Sequence, residues 1–247
     1  MSDTDYTQEP EPKKKADMPF LDHIEELRWR LIKSIIAIAL SGIIAFIFAD
    51  KLYSLITMPL GDTKLHFTEV TGSFYAYLKL AFFGGIIVAA PYVFHQLWSF
   101  IAPGLYDQEK QTVMPMVFFS FVLFLIGASF CFVVVLPIAL KFLLGYGEGI
   151  LTPIITVSSY ISFAGLMIVA FGMAFELPVV GYFLGKIGLI TPPLLNRIRP
   201  YAIVGMLIVG AVLSPPDIFT QILLAVPLVL LYELTIVIVR LTGRKKE

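Results

Sequence analysis

Three observations predict an all-α, polytopic integral membrane protein. The chain has 247 residues, 58% of them hydrophobic, and a mean hydropathy of +0.86; soluble domains are about half apolar. Charged residues are only 15% of the chain and gather at its ends and in short gaps between apolar runs. The apolar runs have the length of bilayer-crossing helices, roughly 20 residues for a hydrocarbon core of about 30 Å. They are also too continuous for barrel strands, which alternate.

Residues 1–17, MSDTDYTQEPEPKKKAD, are polar and Pro-containing and lack the apolar stretch of a cleavable signal, so they read as a disordered tail. A membrane domain over 18–243 and a basic end at 244–247 complete the organisation. Six spans follow in order, at about Leu31–Ala49, Phe74–Leu97, Met114–Leu144, Ser158–Leu184, Pro200–Leu213 and Ile218–Val239. The fifth run is about 14 residues, or about 21 Å of helix, and Glu233 interrupts the sixth. Spans this short imply local bilayer thinning, water entry from one side, or oblique packing. The two halves share no repeat, which gives no support to an inverted-repeat transporter.

Lysine and arginine set the orientation. The N-terminus, the 98–113 and 185–199 loops and the C-terminus carry 14 of the 18 Lys and Arg residues. The other side has Lys51, Lys64, Lys79 and Lys141. Both termini are therefore expected in the cytoplasm.

Ahead of the first span stands FLDHIEELRWRL, residues 20–31, with six ionisable side chains between Asp22 and Arg30. At helical spacing Phe20, Ile24, Leu27 and Leu31 share one face, with Asp22, Glu26 and Trp29 opposite. The segment reads as a short amphipathic cytoplasmic helix, capped by Asp17 or Asp22 and continuous with or hinged onto span one. Glu26 and Arg30 are spaced for an i, i+4 pair, and Glu25 and Arg28 for i, i+3. Such pairs describe a solvated face, while the excess of acid describes an anionic surface for a basic ligand. The first inner loop, HQLWSFIAPGLYDQEKQTV, adds Asp107 and Glu109 on the same side. Arginine binds carboxylates bidentately, so a di-arginine ligand fits these two acidic segments.

Few ionisable groups lie at membrane depth. Glu176, in FGMAFELPV, either faces a cavity or carries a proton, or it is neutralised beside a hydroxyl. Pro178 predicts a kink there, because it frees the carbonyl at Ala174. Glu233 sits where it can reach the interface or meet Arg240. Gln221 is a lone polar helix-end residue or lines the Glu176 cavity. Asp217, after two prolines, suits the N-cap of span six.

Several function classes drop out. The single cysteine, Cys131, excludes an internal disulfide. The three histidines, His23, His66 and His95, read as residues of separate loops with no metal-ligand spacing. Nucleophile motifs and phosphate loops do not occur, so no enzyme activity and no cofactor is expected. Net charge is zero and names no partner; no nucleic-acid binding is expected. A proton-coupled small-solute permease using Glu176 is the alternative. It would place its ligand acids inside the spans, whereas most acids here lie on the cytoplasmic rim.

Five stretches resemble one family. They are FLDHIEELRWR at 20–30, TMPL at 57–60, QLWSFIAPGLYDQEK at 96–110, FGMAFELPV at 171–179 and RPYAIVGMLIVGAVLSPPDIFTQ at 199–221. In order and spacing the chain is similar to TatC, the receptor subunit of the twin-arginine translocase, over about 18–243. The resemblance implies six spans with both termini inside a bacterial cytoplasmic membrane. It implies binding of twin-arginine signal peptides of folded cargo, an oligomeric complex with TatA- and TatB-type single-span subunits in membrane lipid, and use of the proton-motive force. By the same resemblance Glu26 and Glu109 contact the arginines, and Phe100, Arg28 and Arg30 carry functional weight. Glu176 matches the family's intramembrane polar residue, and Pro59 and Asp217 match outer-side assembly positions.

Overall fold

The computed structural model describes residues 20–61, 63–101, 113–145, 154–213 and 217–242. Asp17, Asp107, Glu109, the 1–17 tail and the 244–247 end lie outside the described residues.

Six helical spans are present, over 22–47, 72–101, 114–145, 157–186, 192–213 and 218–242. The first helix, α1, runs unbroken over Phe20–Ile47. The charged segment is therefore the first turns of span one, not a separate surface helix. No Gly or Pro interrupts residues 20–41, so the backbone ladder has no reason to break. The apolar face is the more exposed one. Ile24, Leu27 and Leu31 are 47–58% exposed, while Glu26 and Arg30 turn toward the neighbouring span. In a membrane this is the favourable sense, because apolar side chains face lipid and polar ones find protein partners.

A short helix α2 (Ala49–Thr57) and a 3-10 turn (Met58–Leu60) follow on the opposite face. Gly61 closes that turn at φ 59°, a left-handed conformation that suits glycine. Two two-residue strands, β1 (Leu65–His66) and β2 (Ile155–Thr156), pair in parallel and fasten two loops of this face together. Periodicity cannot register elements this short.

Span two is α3 (Gly72–Ile101). It crosses α1 at very close range: a Cβ added to Gly85 would stand 2.7 Å from the Gly42 backbone. Span three comprises α4 (Val113–Phe130), one π-helical stretch (Cys131–Val135) and α5 (Leu136–Gly145). Pro137 stands two residues beyond the wide turn, and widening accommodates a ring that clashes with a regular helix.

Span four breaks as the Pro178 rule predicts. Helix α6 (Val157–Ala174) ends, Phe175 and Glu176 form a turn, and α7 (Leu177–Lys186) restarts with proline in its first turn. The break resumes smoothly, since the Val180 amide donates to the Glu176 carbonyl at 2.9 Å.

Spans five and six are α8 (Pro192–Leu213) and α9 (Ile218–Thr242). At 22 and 25 residues neither helix is short, which corrects the expectation of spans too short for the bilayer. The helix of span five begins at Pro192 and carries Asn196, Arg197 and Arg199 inside its first turns. Apolar length understates helix length where long cations reach the interface.

Packing divides into three clusters. Toward the opposite face, Leu80, Val135, Leu136, Ile161, Met167, Phe171 and Leu224 interlock. Toward the face where α1 begins, Phe94, Trp98, Phe124, Val179 and Phe183 do so. Tyr232, Ile236 and Val239 hold α9 to Leu195 of α8. Much of the remaining large apolar surface is exposed, as a lipid-facing protein requires.

Candidate functional site

The face where α1 begins holds a polar cluster built on α1 and α3. Helical periodicity brings His23, Glu26 and Arg30 onto one edge of α1, at i, i+3 and i+7. The close glycine crossing brings that edge against the end of α3. There the Arg30 guanidinium forks onto a single carboxylate oxygen, Glu26 Oε1, with Nε at 2.9 Å and Nη2 at 2.5 Å. Its third nitrogen, Nη1, donates to Gln96 Oε1 on α3 at 3.3 Å. Glu26 Oε2 is covered and makes no hydrogen bond. His23 Nδ1 lies 3.9 Å from it, an ion pair only when the imidazole is protonated.

His23 also stacks on Phe100, with ring centroids 4.3 Å apart and planes 12° from parallel. Phe100 belongs to the last turn of α3, nine residues ahead of Glu109 in the sequence. The cluster therefore joins Glu26, Arg30 and Phe100, three of the residues singled out from sequence. Arg28 is exposed on the same helix. Below the cluster opens a cavity of about 300 Å³ lined by Leu27, Arg30, Ser34, Gln96 and Phe100 among others. Chemically this is a carboxylate in a partly desolvated, aromatic-flanked setting, already holding a guanidinium.

A second polar set lies at the span-four break. Glu176 is 7% exposed, with Oε1 unpartnered. The hydroxyl of Ser120 on α4 hydrogen-bonds its carboxyl. Ser120 in turn accepts from the indole nitrogen of Trp98 on α3 at 2.9 Å. Three helices are thus tied through one buried serine. Of the two readings open from sequence, this geometry matches the hydroxyl-paired carboxyl.

The remaining candidates sit toward the opposite face or on the α8–α9 pair. Asp217 caps α9 as expected: its Oδ1 accepts from the Thr220 amide at 2.7 Å, and its Oδ2 accepts from the Thr220 hydroxyl. Gln221 donates to the Leu207 carbonyl at 3.0 Å, which ties α9 to α8 and favours a structural helix-end role. Pro59 is half-buried in the 3-10 turn. Glu233 meets Arg199 of α8, at 2.9 Å, and not Arg240. Arg199 lies on the neighbouring antiparallel helix, a pairing that one-dimensional spacing does not reveal.

Sequence reasoning missed Gln96, Ser120, Trp98 and the part played by His23. His23 and His95 lie in α1 and α3, not in loops, and His66 lies in β1. The signal available for Gln96 and Ser120 was their polarity inside apolar runs, the same signal that marked Glu176.

Fold and site together define a class: a polytopic helical membrane protein with a buried-edge polar cluster at the face where α1 begins. The family described as Sec-independent protein translocase protein (TatC) matches residues 22–227. A TatC protein of Aquifex aeolicus (strain VF5) is 42% identical over 236 residues, covering 93% of this chain and 98% of that protein. Another, of Desulforapulum autotrophicum, is 38% identical over 234 residues, covering 93% of this chain and 87% of that protein. A crystal structure of the twin arginine translocase receptor TatC superposes with a TM-score of 0.83 at 42% identity, covering 89% of this chain and 99% of that one. The chain belongs to the TatC family of protein translocase components.

Proposed function

We propose that this chain is the core receptor of a twin-arginine translocation system. It binds the paired arginines of signal peptides on folded cargo at the face where α1 begins, and that face is cytoplasmic. The 14 to 4 distribution of Lys and Arg supports the orientation. Glu26 takes one arginine, Glu109 takes the other, and Phe100 and Arg28 flank them. Arg30 holds Glu26 when no ligand is present. Glu176 and Gln221 are the polar positions within the spans, and Pro59 and Asp217 belong to the outer surface on which the complex assembles. TatA- and TatB-type single-span subunits join it in the lipid bilayer, and the proton-motive force drives transport.

The observation that carries this reading is the Arg30–Glu26 fork beside the His23–Phe100 stack. It is arginine-binding geometry already occupied by an arginine, next to an aromatic ring. A charge-assisted contact of this kind is worth about 1.5–3 kcal/mol before solvent screening. Binding of a twin-arginine signal peptide to the reconstituted chain tests the reading. Glu26→Gln and Glu109→Gln each weaken binding, and the double change weakens it further. Unchanged affinity in the double variant contradicts the assignment.

A further inference from the structure

Glu26 is not free in the unliganded protein. Arg30 places two of its nitrogens on Oε1, at 2.9 and 2.5 Å, and leaves Oε2 unpartnered. An incoming arginine gains its full fork only when both carboxylate oxygens accept from it. With Oε1 taken twice over, that geometry is closed until Arg30 leaves.

The structure also provides a place for Arg30 to go. Gln96 lies one helix away on α3 and is only 8% exposed. Its side-chain oxygen already accepts from Arg30 Nη1, at a long 3.3 Å. A buried amide in a membrane span is costly unless it is bonded, and here Arg30 supplies that bond. The half-open cavity of about 300 Å³ beneath the cluster is lined by both Arg30 and Gln96, with Ser34 beside them. It offers room for the guanidinium to shift from Glu26 toward Gln96 while the alkyl stem stays against apolar walls. Neither residue's part in such an exchange follows from charge counting, because Glu26 and Arg30 alone read as an ordinary i, i+4 surface pair.

We infer that Arg30 is a resident occupant of the recognition carboxylate Glu26, and that Gln96 retains its guanidinium when a ligand arginine takes Glu26. The inference rests on the recognition reading above. It makes peptide binding an exchange of one arginine for another, with affinity lowered by the strength of the resident pair. Arg30 and Glu26 are 23% and 22% exposed, so screening keeps that strength moderate.

The test uses the full chain in lipid nanodiscs and a fluorescein-labelled signal peptide containing Arg-Arg, read by anisotropy at fixed ionic strength. Arg30→Gln tightens binding roughly three- to fivefold, the factor expected for a partly screened ion pair. Lys33→Gln removes an exposed charge one turn away and gives a smaller change. In the Glu26→Gln background, Arg30→Gln gives no gain. Gln96→Met weakens binding, and that effect disappears when Arg30 is also Gln. Arg30→Lys keeps the charge, loses the fork, and tightens binding in the same direction; it serves if Arg30→Gln does not give monodisperse protein. Equal or weaker binding by Arg30→Gln or by Arg30→Lys overturns the inference, as does an equal gain from Lys33→Gln. If Glu26→Gln still weakens binding in that case, the recognition reading survives. If Glu26→Gln has no effect, both fall.

Discussion

The imidazole of His23 lies flat against the ring of Phe100, 4.3 Å between centroids. This contact fastens the charged start of α1, with Glu26, to the last turn of α3. Stacked aromatic pairs are worth about 0.5–1.5 kcal/mol beyond the area they bury. Phe100→Ala is expected to weaken binding of a twin-arginine peptide by up to roughly tenfold on that scale. Phe100→Tyr retains the stack and keeps most of the affinity. Titration of the two variants side by side checks the order.

The α1–α3 crossing makes a prediction at a distance. An added Cβ at Gly85 meets the Gly42 backbone at 2.7 Å and the Ile38 carbonyl at 3.0 Å. Backbone cannot yield as a flexible side chain does, so Gly85→Ala must move α1 away from α3. The expected result is loss of the Arg30–Gln96 contact and weaker peptide binding, although residue 85 touches no ligand. Gly205→Ala, where an added Cβ meets nothing within 4 Å, is the control. It leaves binding unchanged.

Ser120 is fully buried between Trp98 and Glu176. Ser120→Ala removes the partner of a buried indole N–H and of a buried carboxyl at once. Each group left unsatisfied costs about 1–3 kcal/mol. Thermal unfolding in detergent is expected to shift downward by several degrees, and less for Ser120→Thr, which keeps the hydroxyl.

Glu176 itself is expected to be inaccessible. A cysteine at position 176, where the native side chain is 7% exposed, reacts slowly with a small water-soluble maleimide in native membranes. Glu69→Cys, at an exposed position, reacts quickly. The native Cys131 is fully buried and adds little background. Rapid labelling at 176 revives the water-lined cavity that its sequence context left open.

The fold was largely readable from the chain because lipid imposes simple rules. Long apolar runs must be helices, and Pro178 had to interrupt span four. The Asp217 cap followed from its place after two prolines. What escaped reading was short or relational. The β1–β2 pair spans two residues in each strand, too few for any periodicity. Apolar counting hid the first eight residues of α8 behind their arginines. The wheel for residues 20–31 separated the two faces but did not say which one meets lipid and which meets protein. Within a bilayer the apolar face turns to lipid, and Glu26 turns to protein. Glu26 itself was separated from Asp22 and Glu25 by family resemblance; the structure adds why it differs, since it is the acid of that segment that Arg30 ties to α3.

The most direct measurement of the central claim is site-specific photocrosslinking from positions 26, 100 and 109 to a signal peptide carrying either Arg-Arg or Lys-Lys. The account predicts strong crosslinks from all three positions to the Arg-Arg peptide and much weaker ones to Lys-Lys, because a lysine cannot reproduce the guanidinium fork. Equal crosslinking of the two peptides, or none from position 26, contradicts it.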